Sequence, residues 1–426
     1  MKLSILIYKF FLLLLFILIL INKNNFLFQI ENNVLAKPLL NNFSSLIPIK
    51  NFNNKKLIYI NAKSYILVDT NSGNIITEFN SEKKIFPASL TKLMTLYIIF
   101  HAIKNKEINL CNQIKISHKS WSTKGSSMFL KEGQKVSIKN LLQGIIVNSG
   151  NDACVAIAEY LNGNETNFAN IMNQQAKKLG MINTHFTNST GLHDQKLYST
   201  AKDIAILSRA LINNFYQYYK WYKKKSFTFN GIKQFNRNNL LWKKTSYVDG
   251  IKTGYTKESK YCLASSAQHN NMRLLVIIIG SPNNKSRFQD SEYLFHYGFQ
   301  FFKTFLIYKK KKTIAKIPIY NGQTAFIPIG INNNQFITLY KQNHKPINIV
   351  FKIINNLQAP IRKGKKIGEL IISTNEFKTT QPLYTLTNIK KGNYLTCIKD
   401  YIILKLKKHI YKNQYNYIYK KITLNN

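Results

Sequence analysis

The sequence is poor in acidic residues, glycine and proline. Its 426 residues include 61 Lys and Arg but only 18 Asp and Glu, which gives a formal net charge of +43. The scarcity of glycine (18) and proline (9) excludes a collagen-like or low-complexity chain. A hydrophobic fraction of 45% excludes a wholly disordered polyelectrolyte, and the length suits two or three domains.

Arginine is also scarce, and this bears on the meaning of the positive charge. It occurs only at Arg209, Arg237, Arg273, Arg287 and Arg362, so nearly all of the charge is lysine. Proteins that read nucleic acids favour arginine, because its guanidinium makes bidentate contacts with bases and phosphates. We therefore expect no nucleic-acid partner, and we ascribe the lysine excess to compositional drift, with a contribution to holding the protein on an anionic membrane surface.

The four cysteines, Cys111, Cys154, Cys262 and Cys397, include no pair with the spacing of a zinc or redox site. No histidine cluster accompanies them, so the sequence predicts neither a metal ion nor a cofactor. A disulfide is compatible with an oxidising compartment, but the spacing does not pair the thiols. We expect Cys154 and Cys262 to be small apolar fillers, in a helix and a strand respectively.

The N-terminus has the features of a secretory signal. Lys2 and Lys9 are positively charged, and Phe10–Ile21 is an unbroken apolar run of 12 residues, which is short for a bilayer span of about 20. Val34-Leu35-Ala36 offers a cleavage site, so we predict a signal peptide over residues 1–36. The long stretch before that site leaves an uncleaved N-terminal anchor as the alternative. Both interpretations place the rest of the chain outside the cytoplasm.

Residues 37–302 mix strand-like and helix-like segments, which predicts an α+β domain. Two strands of a hairpin are expected at Leu57–Asp69 and Ile75–Phe79. Helices are expected within Leu90–Ile103, Leu141–Leu161, Thr200–Ile212 (with Thr200 as its cap) and Ser291–Phe302. Two further strands are expected at Asp249–Ser266 and Met272–Gly280.

From about Lys303 the pattern changes to short strands and turns, which predicts a small all-β domain over residues 303–391. Its strand-like segments are Thr313–Pro318, Gln335–Leu339, Ile347–Ile353, Lys366–Ile372 and Leu383–Thr385.

Residues 392–412 predict a basic amphipathic helix of the kind that binds a membrane interface. Its apolar stripe is Leu395, Ile398, Ile402, Leu406 and Ile410, and its lysines are Lys399, Lys405, Lys407, Lys408 and Lys412. The alternative is a helix packed on the β domain. Residues 413–426 are expected to be a basic tail without a fold of its own.

Three short motifs carry the chemistry. They are Ser89-x-x-Lys92, Ser149-Gly150-Asn151 and Lys252-Thr253-Gly254. Each motif alone is weak in a chain rich in lysine and asparagine. In this order and at these spacings, they are the active-site set of penicillin-binding proteins and serine β-lactamases.

The first and third motifs suit nucleophilic catalysis by a serine. Lys92 lies one helical turn from Ser89, so its amine can take the hydroxyl proton if burial and a nearby cation such as Lys252 keep it neutral. The positive end of the helix dipole at Ser89 favours developing negative charge. Lys252 and Thr253 offer a charge and a hydroxyl to a terminal carboxylate. The alternative is a capping Ser89 beside a solvated Lys92.

The second motif supplies the opposite wall of the expected site. The Ser149 hydroxyl can relay a proton to a leaving amine, and the Asn151 amide can bind the substrate backbone; a helix-capping turn is the alternative. Gly254 lets the strand approach the substrate closely. The backbone N–H groups of the nucleophile and of Tyr255 would then form the oxyanion hole.

The sequence resembles the D-alanyl-D-alanine carboxypeptidase branch of the low-molecular-weight penicillin-binding proteins, peptidase family S11. The matching blocks are Phe86–Lys92, Gly125–Leu130, Leu142–Ala153, Thr184–Leu192, Asn236–Trp242 and Val248–Thr256. The resemblance implies an α+β domain of the penicillin-binding, β-lactamase-like serine hydrolase type. It also implies that a small β-sandwich and a C-terminal amphipathic anchor follow this domain.

The resemblance further implies an activity and a location. The enzyme would remove the terminal D-alanine from the pentapeptide stem of peptidoglycan through an acyl-enzyme on Ser89, and β-lactam antibiotics would acylate it. Arg237 and Arg287 fall where family members carry arginine near the carboxylate site, with scaffold salt bridges as the alternative. The protein would be periplasmic, attached peripherally to the outer face of the cytoplasmic membrane.

Two departures from the family pattern bear on the reaction rate. Tyr255 stands where histidine is frequent and Lys260 where glycine is usual, which we expect to change the rate and not the kind of reaction.

Three rival functions share part of the evidence. A class A β-lactamase needs a deacylating glutamate, and the region around Met181–Thr190 contains none. The two remaining rivals are a DD-endopeptidase of the same fold and a non-catalytic basic protein that binds wall polymers.

Overall fold

The computed structural model describes residues 60–243, 247–342, 346–374, 377–410 and 415–422. The predicted signal peptide and Lys412 lie outside these residues, and the side chains of Lys407, Lys408 and Ile410 are likewise outside the description. Within the described ranges, no helix has both the length and the apolar character needed to cross a membrane.

The first domain contains nine strands and eight helices within its described residues. The strands are β1 (Ser64–Asp69), β2 (Ile75–Phe79), β3 (Gln113–Lys115), β4 (Lys135–Ser137), β5 (Ser226–Phe229), β6 (Ile232–Phe235), β7 (Val248–Thr256), β8 (Lys260–His269) and β9 (Met272–Ser281). The helices are α1 (Lys92–Lys104), α2 (His118–Trp121), α3 (Ile138–Asn148), α4 (Asn151–Asn162), α5 (Glu165–Leu179), α6 (Ala201–Asn214), α7 (Tyr216–Tyr219) and α8 (Asn284–Phe301). Short 3₁₀ turns occupy Ala88–Thr91, Lys220–Lys223 and Asn239–Trp242.

A five-stranded antiparallel sheet in the order β2-β1-β9-β8-β7 lies between two hydrophobic cores. Strand β9 is buried on both faces, and its side chains alternate between the cores. Leu274, Val276 and Ile278 join the core that includes α8, whereas Leu275 and Ile277 join the larger helical core. This arrangement places β7 at one edge of the sheet, where it lies against the turn Ala88–Thr91.

The predicted α+β character is confirmed, and so are the hairpin β1–β2 and the helices α1, α3, α4 and α6. The Thr200 hydroxyl caps α6 by accepting from the Asp203 N–H. The single strand predicted at Asp249–Ser266 is wrong, because a tight turn divides it into β7 and β8. Helix α8 begins at Asn284, seven residues before the predicted start, because the Asn283 side chain caps it.

The second domain is built from eight strands and one helix in the described part of the chain. The strands are β10 (Phe302–Tyr308), β11 (Ala315–Pro318), β12 (Phe326–Gly330), β13 (Gln335–Tyr340), β14 (Ile347–Ile354), β15 (Lys366–Ser373), β16 (Lys378–Thr385) and β17 (Tyr415–Ile422). Strands β10 and β13 pair with each other, and the other six form a sheet in the order β11-β12-β16-β15-β14-β17. The all-β prediction for residues 303–391 is confirmed, since the helix begins after them, at Tyr394.

The C-terminal segment forms a helix and then a strand. Helix α9 (Tyr394–Ile410) is the predicted amphipathic helix, and the Asp400 carboxylate on its inner side accepts from the Asn321 N–H at 2.6 Å. The prediction that the tail has no fold is wrong for β17, which pairs antiparallel with β14 along its whole length. Ile418 and Ile422 of β17 pack against the core of the second domain.

Candidate active site

A cleft of about 250 Å³ lies beside the edge strand β7, and all three sequence motifs contribute to it. Its walls are formed by Ser89, Gly125, Ser126, Ser149, Asn151, Thr190, Gly191, Leu192, Arg237, Thr253, Gly254, Tyr255, Thr256 and Arg287. Residues that are far apart in the sequence therefore meet in one place. No group of side chains suited to a metal ion occurs among the described residues.

Ser89 lies on the 3₁₀ turn that leads into α1, and Lys92 begins that helix. The spacing of three residues puts both side chains on one face, as predicted, with Lys92 Nζ 3.0 Å from Ser89 Oγ. The Lys92 side chain is fully buried and also donates to the Thr190 carbonyl at 2.6 Å. The alternative of a solvated Lys92 is therefore wrong.

Burial controls the protonation of both motif lysines. It lowers the pKa of Lys92 to about 8, an effect that Arg237 reinforces and that Asp152 opposes. Burial also holds the pKa of Lys252 well below its ordinary value, and the positive charge of Lys92 lowers it further. Two buried amines that repel each other favour a state in which one is neutral, as a general base requires.

Cys154 lies near these lysines on α4, and Cys262 lies on β8. Both are fully buried, which confirms their prediction as apolar fillers. Burial raises the pKa of Cys154 to about 12 and that of Cys262 to about 11, so both are neutral thiols. All four cysteines are free.

Ser149 and Asn151 lie at the junction of α3 and α4. Ser149 adopts the left-handed conformation with φ +66°, which is costly for a residue with a side chain. Its hydroxyl is buried and has no hydrogen-bond partner among the described residues, so it is available to a substrate. Asn151 is held by the preceding loop, since its side-chain amide donates to the Lys124 carbonyl at 2.7 Å.

Strand β7 supplies the third motif. Lys252 is 3% exposed and donates to the Thr253 carbonyl at 2.9 Å. A Cβ atom added to Gly254 would lie 3.2 Å from both the Ser89 nitrogen and the Ala88 Cβ. This contact is tighter than an ordinary one, so glycine lets the strand lie this close to Ser89 without displacing it, which is the reason inferred from the sequence.

The two arginines occupy different positions. Arg237 is exposed at the cleft and donates to the Ser126 hydroxyl at 2.8 Å. Arg287 is buried, and its Nη1 donates to the carbonyls of Gly254 at 3.0 Å and Cys262 at 3.1 Å. Neither forms a salt bridge within the described ranges, so the scaffold salt-bridge alternative is wrong for these residues. Arg287 instead ties β7 to β8 while lining the cleft.

Sequence reasoning missed the wall formed by Thr190 and Gly191. A Cβ on Gly191 would lie 1.9 Å from the Ala88 carbonyl oxygen, so this wall touches the chain just before Ser89. Asp152 was also missed: its buried carboxylate accepts from the Ser127 hydroxyl at 2.6 Å and the Met128 N–H at 3.0 Å. These residues lie in blocks that resemble the family, and this resemblance was the available signal. The role of the Thr190 carbonyl as a hydrogen-bond acceptor has no sequence signature, because every residue has a backbone carbonyl.

The two departures from the family pattern face the solvent. Tyr255 is 52% exposed and lies 4.5 Å from the Tyr261 ring, centroid to centroid. Lys260 is exposed and has a left-handed φ of +56°, a conformation that glycine adopts without strain. Neither side chain takes the place of a motif residue.

Both domains of the chain are similar to known proteins. The family described as "D-alanyl-D-alanine carboxypeptidase" (Peptidase S11) matches residues 50–283, and "Penicillin-binding protein 5, C-terminal domain" matches residues 302–391. The carboxypeptidase DacA of Escherichia coli K12 is 38% identical over 353 residues, which cover 81% of this chain and 88% of DacA. DacC of the same strain is 36% identical over 354 residues, covering 81% of this chain and 88% of DacC.

Solved structures show the same fold. Penicillin-binding protein 5 from Haemophilus influenzae has a TM-score of 0.71 at 38% identity and covers 78% of this chain and 99% of its own. Penicillin-binding protein D2 from Listeria monocytogenes, in its ampicillin-bound form, has a TM-score of 0.53 at 30% identity. The match covers 57% of this chain and 99% of the Listeria chain.

Proposed function

Because this chain belongs to peptidase family S11, the serine-type D-alanyl-D-alanine carboxypeptidases, we propose that Ser89 is its nucleophile and the pentapeptide stem of peptidoglycan its substrate. The observation that carries the proposal is the buried Lys92 amine, 3.0 Å from the Ser89 oxygen. In its neutral form, this amine takes the hydroxyl proton as Ser89 attacks the carbonyl carbon of the penultimate D-alanine. The backbone N–H groups of Ser89 and Tyr255 then hold the oxyanion.

Breakdown of this intermediate releases the terminal D-alanine. Its nitrogen takes the proton through the Ser149 hydroxyl, which has no hydrogen-bond partner among the described residues, and the peptide stays esterified to Ser89. Water then hydrolyses the ester and regenerates the serine. Asn151 binds the peptide backbone, and Lys252, Thr253 and Arg237 hold the terminal carboxylate. Arg287 supports this site by fixing β7.

We further propose that β-lactam antibiotics acylate Ser89. A β-lactam presents a strained amide and a carboxylate to the same groups. The ampicillin-bound relative from Listeria monocytogenes supports this proposal, since it shares the fold at 30% identity.

Mass spectrometry of a synthetic stem pentapeptide tests the reaction. We expect loss of one D-alanine with the native protein and none with Ser89→Ala, because the nucleophilic oxygen is removed. Ser122→Ala, which alters an exposed serine, is the matched control and should retain activity. Cleavage of a cross-linked dimer but not of the pentapeptide would point to the endopeptidase. Equal acylation of Ser89→Ala by labelled penicillin would overturn the assignment.

We also propose that the protein is exported and rests on the outer face of the cytoplasmic membrane through α9. The support is the outward face of this helix, where apolar side chains are exposed instead of packed on the β domain. Their exposed fractions are 76% for Leu395, 41% for Ile398, 48% for Ile402 and 45% for Leu406. Lysines on the same helix favour anionic lipid.

Co-sedimentation with anionic and neutral vesicles tests this attachment. The double variant Ile402→Asp and Leu406→Asp should bind anionic vesicles at least about tenfold more weakly, because it no longer buries these two apolar side chains in lipid. Phe326→Asp, which changes an exposed apolar residue on β12, is the control and should bind normally. Unchanged binding of the double variant would exclude α9 as the anchor.

A further inference from the structure

Glu165 is the first residue of α5, and none of the three motifs includes it. Its Oε1 accepts two hydrogen bonds from one residue, the Ser189 N–H at 3.0 Å and the Ser189 hydroxyl at 2.6 Å. Its Oε2 lies 3.7 Å from the Lys119 ammonium, and the side chain is only 16% exposed. Hydrogen bonds to a carboxylate are stronger than those to a neutral acceptor, so Glu165 holds Ser189 firmly.

Ser189 belongs to a segment that is fixed from several sides. Its carbonyl accepts from the Thr95 hydroxyl of α1 at 2.6 Å. The Asn188 side-chain oxygen accepts from the N–H groups of Thr190 at 3.2 Å and Gly191 at 2.7 Å. Every N–H from Ser189 to Gly191 therefore has a partner, and Glu165 supplies the only charged one among these contacts.

The end of this segment reaches the catalytic amine. The Thr190 carbonyl accepts from Lys92 Nζ at 2.6 Å, while the same nitrogen lies 3.0 Å from Ser89 Oγ. A neutral amine has two N–H donors and one lone pair, whereas a carbonyl can only accept. An N–H directed at Thr190 therefore leaves the lone pair free to point at the Ser89 hydroxyl.

We propose that Glu165 is a positioning residue of the active site: it fixes the Ser189–Thr190 segment so that the Thr190 carbonyl orients Lys92 on Ser89, and it adds negative charge near that amine. The inference rests on the proposed nucleophilic role of Ser89. Glu165 does not line the cleft, so it acts through Ser189 and Thr190 and not on the substrate.

Charge gives this role a measurable signature. The charged groups that act on Lys92 are the cation Arg237 and the carboxylates Asp152 and Glu165; Lys252 repels Lys92 when it is protonated, and Cys154 is a neutral thiol that adds no charge. Burial lowers the pKa of Lys92 to about 8, and Glu165 works against that shift. Removing the negative charge of Glu165 thus lowers the pKa of Lys92 further, so the amine becomes neutral at a lower pH.

The experiment measures the rate of acylation by labelled penicillin across the range from mildly acidic to alkaline pH in three variants. Glu165→Gln keeps an oxygen for Ser189 but removes the charge, and Ser189→Ala keeps the charge but removes one hydrogen bond. Glu159→Gln is the matched control: it removes a glutamate on α4 that accepts from the Ser117 hydroxyl at 2.6 Å and is not among the groups that shift the pKa of Lys92 most. Thermal unfolding of each variant is measured in parallel.

We expect the midpoint of the rising limb to fall by about 0.5–1 pH unit in Glu165→Gln and to stay in place in Glu159→Gln. Ser189→Ala should lower the plateau rate by about threefold to tenfold at an unchanged midpoint, because Lys92 is oriented less well. If Glu165→Gln keeps the native midpoint, or if Glu159→Gln shifts it equally, Glu165 does not act on Lys92 through its charge. If Ser189→Ala keeps the native plateau rate, the Ser189–Thr190 segment does not orient Lys92.

The native protein separates this inference from the function on which it rests. If the native protein is not acylated at any pH, the proposed function fails. If it is acylated with a rising limb and the variants behave like it, only the role of Glu165 fails. Should Glu165→Gln unfold at the assay temperature, Ser189→Ala still decides the positioning part.

Discussion

Replacing Gly191 by alanine tests how tightly the wall formed by Thr190 and Gly191 is packed on Ala88, the residue before Ser89. Gly191 has φ +81°, and an added Cβ would lie 1.9 Å from the Ala88 carbonyl oxygen and 2.9 Å from the Thr91 hydroxyl. The left-handed backbone alone costs a residue with a side chain about 1–2 kcal/mol. Restoring an ordinary contact of about 3.4 Å also requires the segments around Gly191 and Ala88 to separate by roughly 1.5 Å, and such overpacking costs about 1–3 kcal/mol.

Gly180→Ala is the matched control for this variant. Gly180 has φ +83°, nearly the same backbone conformation, but in the described part of the chain no neighbouring atom lies within 4 Å of an added Cβ. We therefore expect urea unfolding to show a loss of about 1–2 kcal/mol for Gly180→Ala and about 2–5 kcal/mol for Gly191→Ala. The difference between the two variants isolates the steric contact with Ala88.

The two variants should differ even more in activity. A shift of Ala88 moves Ser89, and a displacement of about 1 Å at a reacting group can cost about a hundredfold in rate. Acylation by labelled penicillin should fall by that order in Gly191→Ala and stay native in Gly180→Ala. Equal stability losses in the two variants, with native acylation in both, would refute the packing argument.

Two further results are expected. Acylation of the native protein should rise with pH around a midpoint near 8, because only neutral Lys92 accepts a proton. The rate at pH 7 should then be about one tenth of the plateau rate. A rate that does not change between about pH 6 and pH 9 would contradict this prediction. Arg287→Lys should lower the free energy of unfolding, measured by urea titration, by about 2 kcal/mol. The reason is that one ammonium cannot replace the guanidinium that donates hydrogen bonds to Gly254, Cys262 and Asn284. Native stability of the variant would show that these hydrogen bonds are dispensable.

The contact between Ser89 and Lys92 was predictable because their relationship is local. Ser89 and Lys92 are three residues apart at a helix start, and helix geometry alone brings them together. The Thr190 carbonyl and Glu165 were not predictable, because they reach Lys92 only after α1, α5 and the following loop pack together. The loop 181–190 contains no glutamate of its own, yet Glu165 contacts that loop from outside it.

Of the errors in secondary structure, the one at the β7–β8 turn has a local cause and the one at β17 has a tertiary cause. The turn between β7 and β8 contains no glycine, proline or asparagine; the Thr256 hydroxyl closes it by accepting from the Ser259 N–H, and Lys260 takes the left-handed conformation. Strand β17 alternates tyrosine with smaller residues, a pattern typical of a strand, but its significance depends on the free edge of β14 that it meets.

The pairing of β17 with β14 has a consequence for preparing shortened forms of the protein. Cutting the chain before α9, to obtain a fragment without the helix, also removes β17. Strand β14, with the sequence Ile-Asn-Ile-Val-Phe-Lys-Ile-Ile, would then present an open row of N–H and C=O groups and only one charge. Such an edge recruits a strand from a second molecule, so the shortened fragment should self-associate unless a lysine or proline is introduced into β14.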